Sequence, residues 1–228
     1  RELSGPLASL RPAESPVEVV LHRRYNPEGV TRYNIVPGLL GIILTMTMVM
    51  MTALAVTREH ERGTMENLLA MPVRPIEVMA GKIAPYIVIG AVQVAVVLVA
   101  ARQLFGVPFE GSFAIFGVAT LLFITVNLAI GFTFSTIARN QLQAMQMSFF
   151  FLMPSILLTG FAFPFRGMPG WAQAIGEAMP ATHFLRIVRA LMLKAASAGQ
   201  VASELAVLAL MLVVVVVVAV SRYRVTLD

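Results

Sequence analysis

The residues able to do chemistry in this chain are few and unevenly placed. Cysteine is absent, and the three histidines, His22, His60 and His183, lie far apart in sequence, so neither a thiolate nor a ready metal cluster is offered. No G-x-x-x-x-G-K-[ST] phosphate loop exists, because Gly81-Lys82 lacks both the earlier glycine and the hydroxyl residue. What stands out is the run REHERGTMENLLAMP from Arg58 to Pro72, and its residue types suit docking rather than reaction. Arg58-Glu59-His60-Glu61-Arg62 is polar throughout, and Gly63 permits a break. Thr64 can N-cap a short new helix, with Glu66 near its positive end, and Met65, Leu68 and Leu69 then share a face. Pro72 stops that helix, and Pro75 suits the first turn of the next. The same features also fit an ordinary solvated loop capped at both ends.

The elements around this knot are apolar and long. Hydrophobic residues make up 58% of the 228 and charged residues 13%, with a mean hydropathy of +0.82, which excludes an ordinary soluble domain. A hydrocarbon core of roughly 30 Å needs about 20 apolar residues as helix. Five such windows are legible, at 35–57, 83–101, 113–137, 145–163 and 201–220, and none holds a charged side chain or His in its central part. Short alternating segments of the β-barrel kind are absent. The fold class is therefore all-α, a polytopic helical membrane protein with five visible spans. Residues 58–82 form a loop, and 164–200 a longer connection on the opposite side. The chain starts with Arg1 and shows no signal-peptide pattern, so a natural N-terminus further upstream is expected.

Charge gives orientation only a lean. Placing the 58–82 loop in the cytoplasm puts Arg58, Arg62, Arg74, Lys82, Arg139, Arg222 and Arg224 there, in short segments. The remaining ten of the 17 basic residues are spread over the long segment before the first span, the short 102–112 loop and the long 164–200 stretch. A sequence pI near 10.2 is explained by these basic flanks, and no nucleic-acid partner is expected. Ahead of the first span, residues 1–34 read as the remnant of an extracytoplasmic domain, with a strand at 17–21 and a turn at Asn26-Pro27, or as a flexible arm. In the 164–200 segment, Phe184, Ile187, Val188 and Leu191 recur at helical spacing opposite Arg186, Arg189 and Lys194. Thr182 can cap this helix, which is expected to lie in the membrane interface with Trp171 as a headgroup anchor. It serves either as a gate around an exit path or as a loop held against lipid.

Inside the spans the polar residues are Thr45, Thr47, Thr52, Gln93, Thr125, Asn127, Ser148, Ser155 and Thr159, most of them read as interhelical hydrogen-bonding groups. Asn127, Pro154, Thr159 and Phe184 are the candidates for a pathway or gate, Pro154 because in mid-span it removes a hydrogen bond and kinks the helix. The absence of a buried charge argues against a proton-coupled carrier. These residues alone leave a membrane scaffold or passive channel open beside a driven transporter.

The run Glu59-x-Glu61-x-Gly63-Thr64-x-Glu66-x-Leu68-Leu69-x-x-Pro72, directly after a span, resembles the cytoplasmic signature of the membrane subunit of type-2 ABC transporters, in their bacterial multidrug-exporter-like branch. Asn26-Pro27, Pro37-Gly38, Pro164 and Pro180-x-Thr182-His183-Phe184 with Arg189 extend the resemblance over nearly the whole chain. It implies a six-span ABC type-2 permease fold, here without its first span and most of an extracytoplasmic domain. It implies a coupling helix at 64–71 framed by Glu59, Glu61, Arg62 and Glu66. Implied partners are an ABC ATP-binding subunit and a second permease subunit, in a homo- or heterodimer. No cofactor is expected on this chain; ATP and Mg belong to the partner ATPase, and this subunit is not itself an enzyme. The location implied is the bacterial inner membrane, with the C-terminus cytoplasmic.

Overall fold

A computed structural model of the chain describes residues 32–62 and 75–225. In order these form α1 (Arg32–Glu61), α2 (Pro75–Gln103), α3 (Phe113–Ile137), α4 (Gln141–Leu158), a 3-10 turn (Phe165–Gly167), α5 (Gly170–Glu177), α6 (Pro180–Lys194) and α7 (Ala198–Val225). No strand occurs among the described residues. The strand expected at 17–21 and the short helix expected at 64–71 both lie outside them. Among the described residues five helices have the length and composition to cross a bilayer: Tyr33–Glu59, Ile83–Gln103, Phe113–Ile137, Gln141–Leu158 and Ala198–Arg222. The architecture is all-α and polytopic.

The fourth of these sits earlier than its apolar run suggests. Its start is set by Asn140, whose side chain accepts the Gln143 backbone N–H at 2.8 Å and so begins the helix on polar residues. Its end comes one turn after Pro154, where Thr159 caps the helix and Gly160, at φ +83, reverses the chain. Phe161, Ala162 and Phe163 keep the run apolar beyond that point but are no longer helical.

At the centre is α3, with 56% of its most apolar window buried, against 11% for α7 and 17% for α2. It packs on α1, α2, α6 and α7. The α1–α3 approach is close because Gly131 faces the α1 backbone: a methyl group there would stand 2.4 Å from the Val49 carbonyl oxygen. Gly131→Ala must push the two helices apart and is expected to destabilise the protein by about 1–3 kcal/mol. Gly117→Ala, with nothing within 4 Å, should be neutral. Thermal unfolding of the full-length variants in detergent compares them, and equal midpoints would refute this packing.

The outer faces carry apolar stripes, including Ile35, Leu39 and Ile43 on α1, Val88, Val92 and Val96 on α2, and Val213, Val214 and Val217 on α7. Such surfaces suit lipid as solvent. Residues 138–140 alone separate α3 from α4, which makes these helices antiparallel neighbours. One end of the bundle therefore gathers the close of α1, the α3–α4 turn and the start of α2. The other end holds α5, α6 and the start of α7.

Candidate docking end and its tie to the bundle

The polar close of α1 is a helical turn with Arg58 and Glu61 exposed, finished by the Arg62 N–H donating to the Arg58 carbonyl at 3.1 Å. Arg62 faces solvent beside Glu61. Glu61 reaches across to the first residue of α4. Its Oε1 accepts the Gln141 backbone N–H at 2.8 Å and its Oε2 accepts the Gln141 side-chain amide. A carboxylate thus sits at the positive end of α4. The Gln141 side-chain bond, then its backbone bond, hold the Glu61 carboxyl below its ordinary value, against a smaller opposing effect of burial. Gln143 completes the turn by accepting the Arg139 N–H at 2.8 Å. Arg58 and Gln141 also line a cavity of about 310 Å³ with Met51, Leu54, Ala55 and Tyr86. Glu59 and Glu61 thus stand on the last turn of α1 and Arg62 directly after it, next to the α3–α4 turn. Gly63, Thr64, Glu66, Leu68, Leu69 and Pro72 lie outside the described residues. Beyond them, Pro75 is the first residue of α2, as its type suggests.

The lowered Glu61 titration sets a pH window. A depressed carboxyl keeps its tie intact above the ordinary carboxylate range, near pH 4.3, and loses it as pH falls through the lowered value. The Gln141 amide should therefore be protected from hydrogen exchange at pH 6 and lose protection only on strong acidification. Glu61→Ala should expose it at every pH. Protection unchanged in Glu61→Ala would show that the tie is not formed in solution.

At the opposite end a charged cluster joins three helices. Arg186 on α6 makes a two-bond contact with the Glu177 carboxylate on α5, at 2.5 and 3.0 Å, and approaches Glu204 on α7 at 3.4 Å. The Arg186 hydrogen bond holds Glu177 below the usual carboxylate range, with burial opposing, and the same bond raises Arg186. The guanidinium also lies 4.8 Å from the centre of the Phe165 ring. His183 is buried, with Nδ1 2.5 Å from a Glu204 oxygen and Nε2 2.9 Å from the Glu177 carbonyl.

This corrects three expectations about the 164–200 segment. Met179, not Thr182, occupies the N-cap of α6, with Pro180 in the first turn, and the Thr182 hydroxyl instead donates to the Gly176 carbonyl. The stripe of Phe184, Ile187, Val188 and Leu191 is buried, and α6 packs on α1, α3 and α7 rather than lying against lipid. Helical periodicity reads the same whichever apolar phase it meets, and here the phase is protein. The opposite face is not simply solvated either: Arg189 donates to the carbonyls of Gly160 at 3.0 Å and Asn34 at 3.4 Å, and burial pulls its basicity down. Trp171 on α5 is exposed, as an interfacial anchor requires.

A family model described as "ABC-2 family transporter protein" matches residues 4–221. The chain belongs to the ABC-2 transporter family. It is 32% identical over 187 residues to "Probable multidrug ABC transporter permease YbhR" of Escherichia coli, covering 82% of this chain and 51% of that protein. It is 35% identical over 205 residues to "Inner membrane transport permease YhhJ" of the same species, covering 86% and 50%. With "ABC transporter G family member 20" of Dictyostelium discoideum it shares 26% over 181 residues, covering 79% and 25%. The chain thus spans about half the length of the bacterial relatives. No solved structure matches it.

In this ABC-2 protein the candidate pathway residues fall into two groups. Asn127 and Phe184 meet at Phe123: the Asn127 amide donates to the Phe123 carbonyl at 2.8 Å, and the Phe184 ring stacks on that of Phe123 with centroids 4.1 Å apart. Both are close-packed, at 1% and 0% exposure, and the Asn127 Oδ1 has no partner among the described residues. Pro154 and Thr159 lie apart from them on α4, where Thr159 donates to the Ser155 carbonyl. None of the four lines the apolar groove of about 510 Å³ between α3, α4 and α7, whose walls include Ile130, Phe134, Phe151 and Met211. The polar groups of the spans also bond differently from expectation. Thr45, Thr125, Ser148 and Ser155 donate to carbonyls of their own helices, four residues back. Gln93 to Thr47, at 3.0 Å, does join two helices.

Sequence reasoning missed Gln141, Glu177, Arg186 and Glu204 as partners. Only the α4 start left a local trace, since Asn140 with Gln143 three residues on is a helix-entry pattern.

Proposed function

We propose that this ABC-2 chain is the membrane-spanning permease part of an ATP-driven exporter, and that a separate ATP-binding subunit drives it through the 58–82 loop. The observation that carries this reading is the Glu61–Gln141 tie. It fastens the root of the docking segment to the α3–α4 turn, so that a push on the loop moves α1, α3 and α4 together. The 30-residue α1, about 45 Å long at 1.5 Å per residue, then carries that movement towards its other end, where the Asn34 carbonyl meets Arg189.

On this reading the loop end and the C-terminus face the cytoplasm of a bacterial inner membrane. ATP and Mg bind the partner, since this chain has no phosphate loop. A second permease subunit, the same or different, completes the path. The bacterial relatives' names and the apolar groove support hydrophobic cargo of the multidrug kind. Co-expressing the full-length protein with the ATP-binding subunit encoded beside it and purifying in mild detergent should recover both. Recovery of the permease without any ATPase would favour a scaffold or channel.

A further inference from the structure

The cluster at the far end of the bundle contains a buried histidine that the coupling mechanism does not use. Both ring nitrogens of His183 face acceptors. Nε2 meets the backbone carbonyl of Glu177 at 2.9 Å, and a carbonyl only accepts, so Nε2 carries hydrogen. Nδ1 meets Glu204 Oε2 at 2.5 Å, and an ionised carboxylate also only accepts. A bond there requires one more proton, on the ring or on the carboxyl. For both contacts to be hydrogen bonds at once, the pair must hold one proton beyond a neutral imidazole and an ionised carboxylate, shared between the two residues.

The surroundings leave this proton as the variable charge. Arg186, on the next turn of α6, is engaged by Glu177 on both of its outer nitrogens and lies 3.4 Å from the other Glu204 oxygen. The Glu177 carboxylate stands 3.8 Å from His183 Nε2. Among the other helices packed on α6, α3 and α4 contain no Asp, Glu, Lys, Arg or His, and α1 has none between Tyr33 and Arg58. Arg189 points instead to Gly160 and Asn34. Glu204 falls within the apolar Ala198–Arg222 span, a setting where an ionisable group needs its partner.

We propose that His183 and Glu204 form a proton-binding site that, while protonated, fastens α6 to both α5 and the start of α7 and holds this end of the bundle closed, and that loosens it when the proton leaves. Loss of the proton leaves one ring N–H for two acceptors, so the cluster must give up one contact, either to Glu204 on α7 or to the Glu177 carbonyl on α5. That contact sits at the end opposite the docking loop, so the pH on that side would bias how readily the bundle opens there. The inference needs no ATPase and stands apart from the exporter reading.

Glu204→Gln tests it, because a glutamine amide can donate to an unprotonated Nδ1 and keep the bond without a titrating proton. In the full-length protein in detergent, the wild-type unfolding midpoint should fall by about 5 °C, relative to Glu204→Gln, as pH rises from 5.5 to 9. Parallel profiles for the two proteins would overturn the proposal. Should Glu204→Gln not fold, hydrogen exchange on the wild type alone decides. Protection in 177–186 and 198–206 should weaken over that pH range, while 116–132 in α3 holds. No selective weakening would equally overturn it.

Discussion

Replacing Glu66 by Arg and Leu69 by Asp together in the full-length protein is expected to release the ATP-binding subunit and to cut ATP-driven transport at least about tenfold. The two positions come from the loop pattern: an acidic residue near the start of a short capped segment and an apolar residue on its Met65-Leu68-Leu69 stripe. Burying an aspartate in an apolar docking pocket and reversing a neighbouring charge each remove an anchor. Anchors of this kind are worth about 2 kcal/mol or more, so their loss exceeds a factor of ten in affinity. Folding should survive, because both substitutions fall in the connection between two apolar spans rather than in a span itself. Glu61→Ala should behave differently. It leaves the docking residues in place but unties α1 from Gln141, so the ATPase should still co-purify while its hydrolysis loses coupling to transport. Equal effects of the two substitutions on subunit recovery would contradict this division between docking and transmission.

The second large effect concerns Phe184, which sequence reasoning placed at a gate. Its ring is fully buried and stacks parallel on Phe123, with an interplanar angle of 1°. Around it lie Gly41 on α1, where an added methyl group would stand 3.5 Å from the ring, and the rest of the core that α6 completes. Phe184→Ala should leave a cavity that close-packed neighbours cannot fill, at a cost of about 3–5 kcal/mol. In a protein of this size that lowers the unfolding midpoint by roughly 10 °C, and Phe184→Leu should recover much of it. A gate predicts another pattern: altered cargo preference at unchanged stability. Thermal unfolding and transport of two unrelated cargoes, measured on the same variants, separate these outcomes.

What the sequence could and could not disclose follows from the range of each interaction. Hydropathy locates the spans because burial in lipid is a property of a window, and the expected 113–137 coincides with α3. The apolar stripe of α6 is legible for the same reason. Its surroundings are not, since a helix wheel does not distinguish Phe123 from an acyl chain. The end of α4 is hidden because Gly160 turns the chain inside an apolar run, where composition does not change. Least legible are the ties made across the fold. Glu61 and Gln141 are 80 residues apart, and His183 and Glu204 are 21 apart, and no local pattern pairs them. Glu204 in particular reads as an ordinary charge near the end of a span. Only the packing of α6 against α7 gives it a buried histidine to hold.

The central claim is that another protein's ATP cycle enters this chain at the 58–72 knot. These 228 residues contain no cysteine, so once any cysteine elsewhere in the full-length protein is replaced by serine, a single introduced one can report the contact. Leu69→Cys in the full-length protein, co-expressed with the ATP-binding subunit and treated with a short amine-to-thiol cross-linker, should yield a covalent permease–ATPase product whose amount changes with ATP. Trp171→Cys, on α5 at the other end of the bundle, should yield none. A product from position 171, or none from position 69 while the two proteins co-purify, would contradict the account.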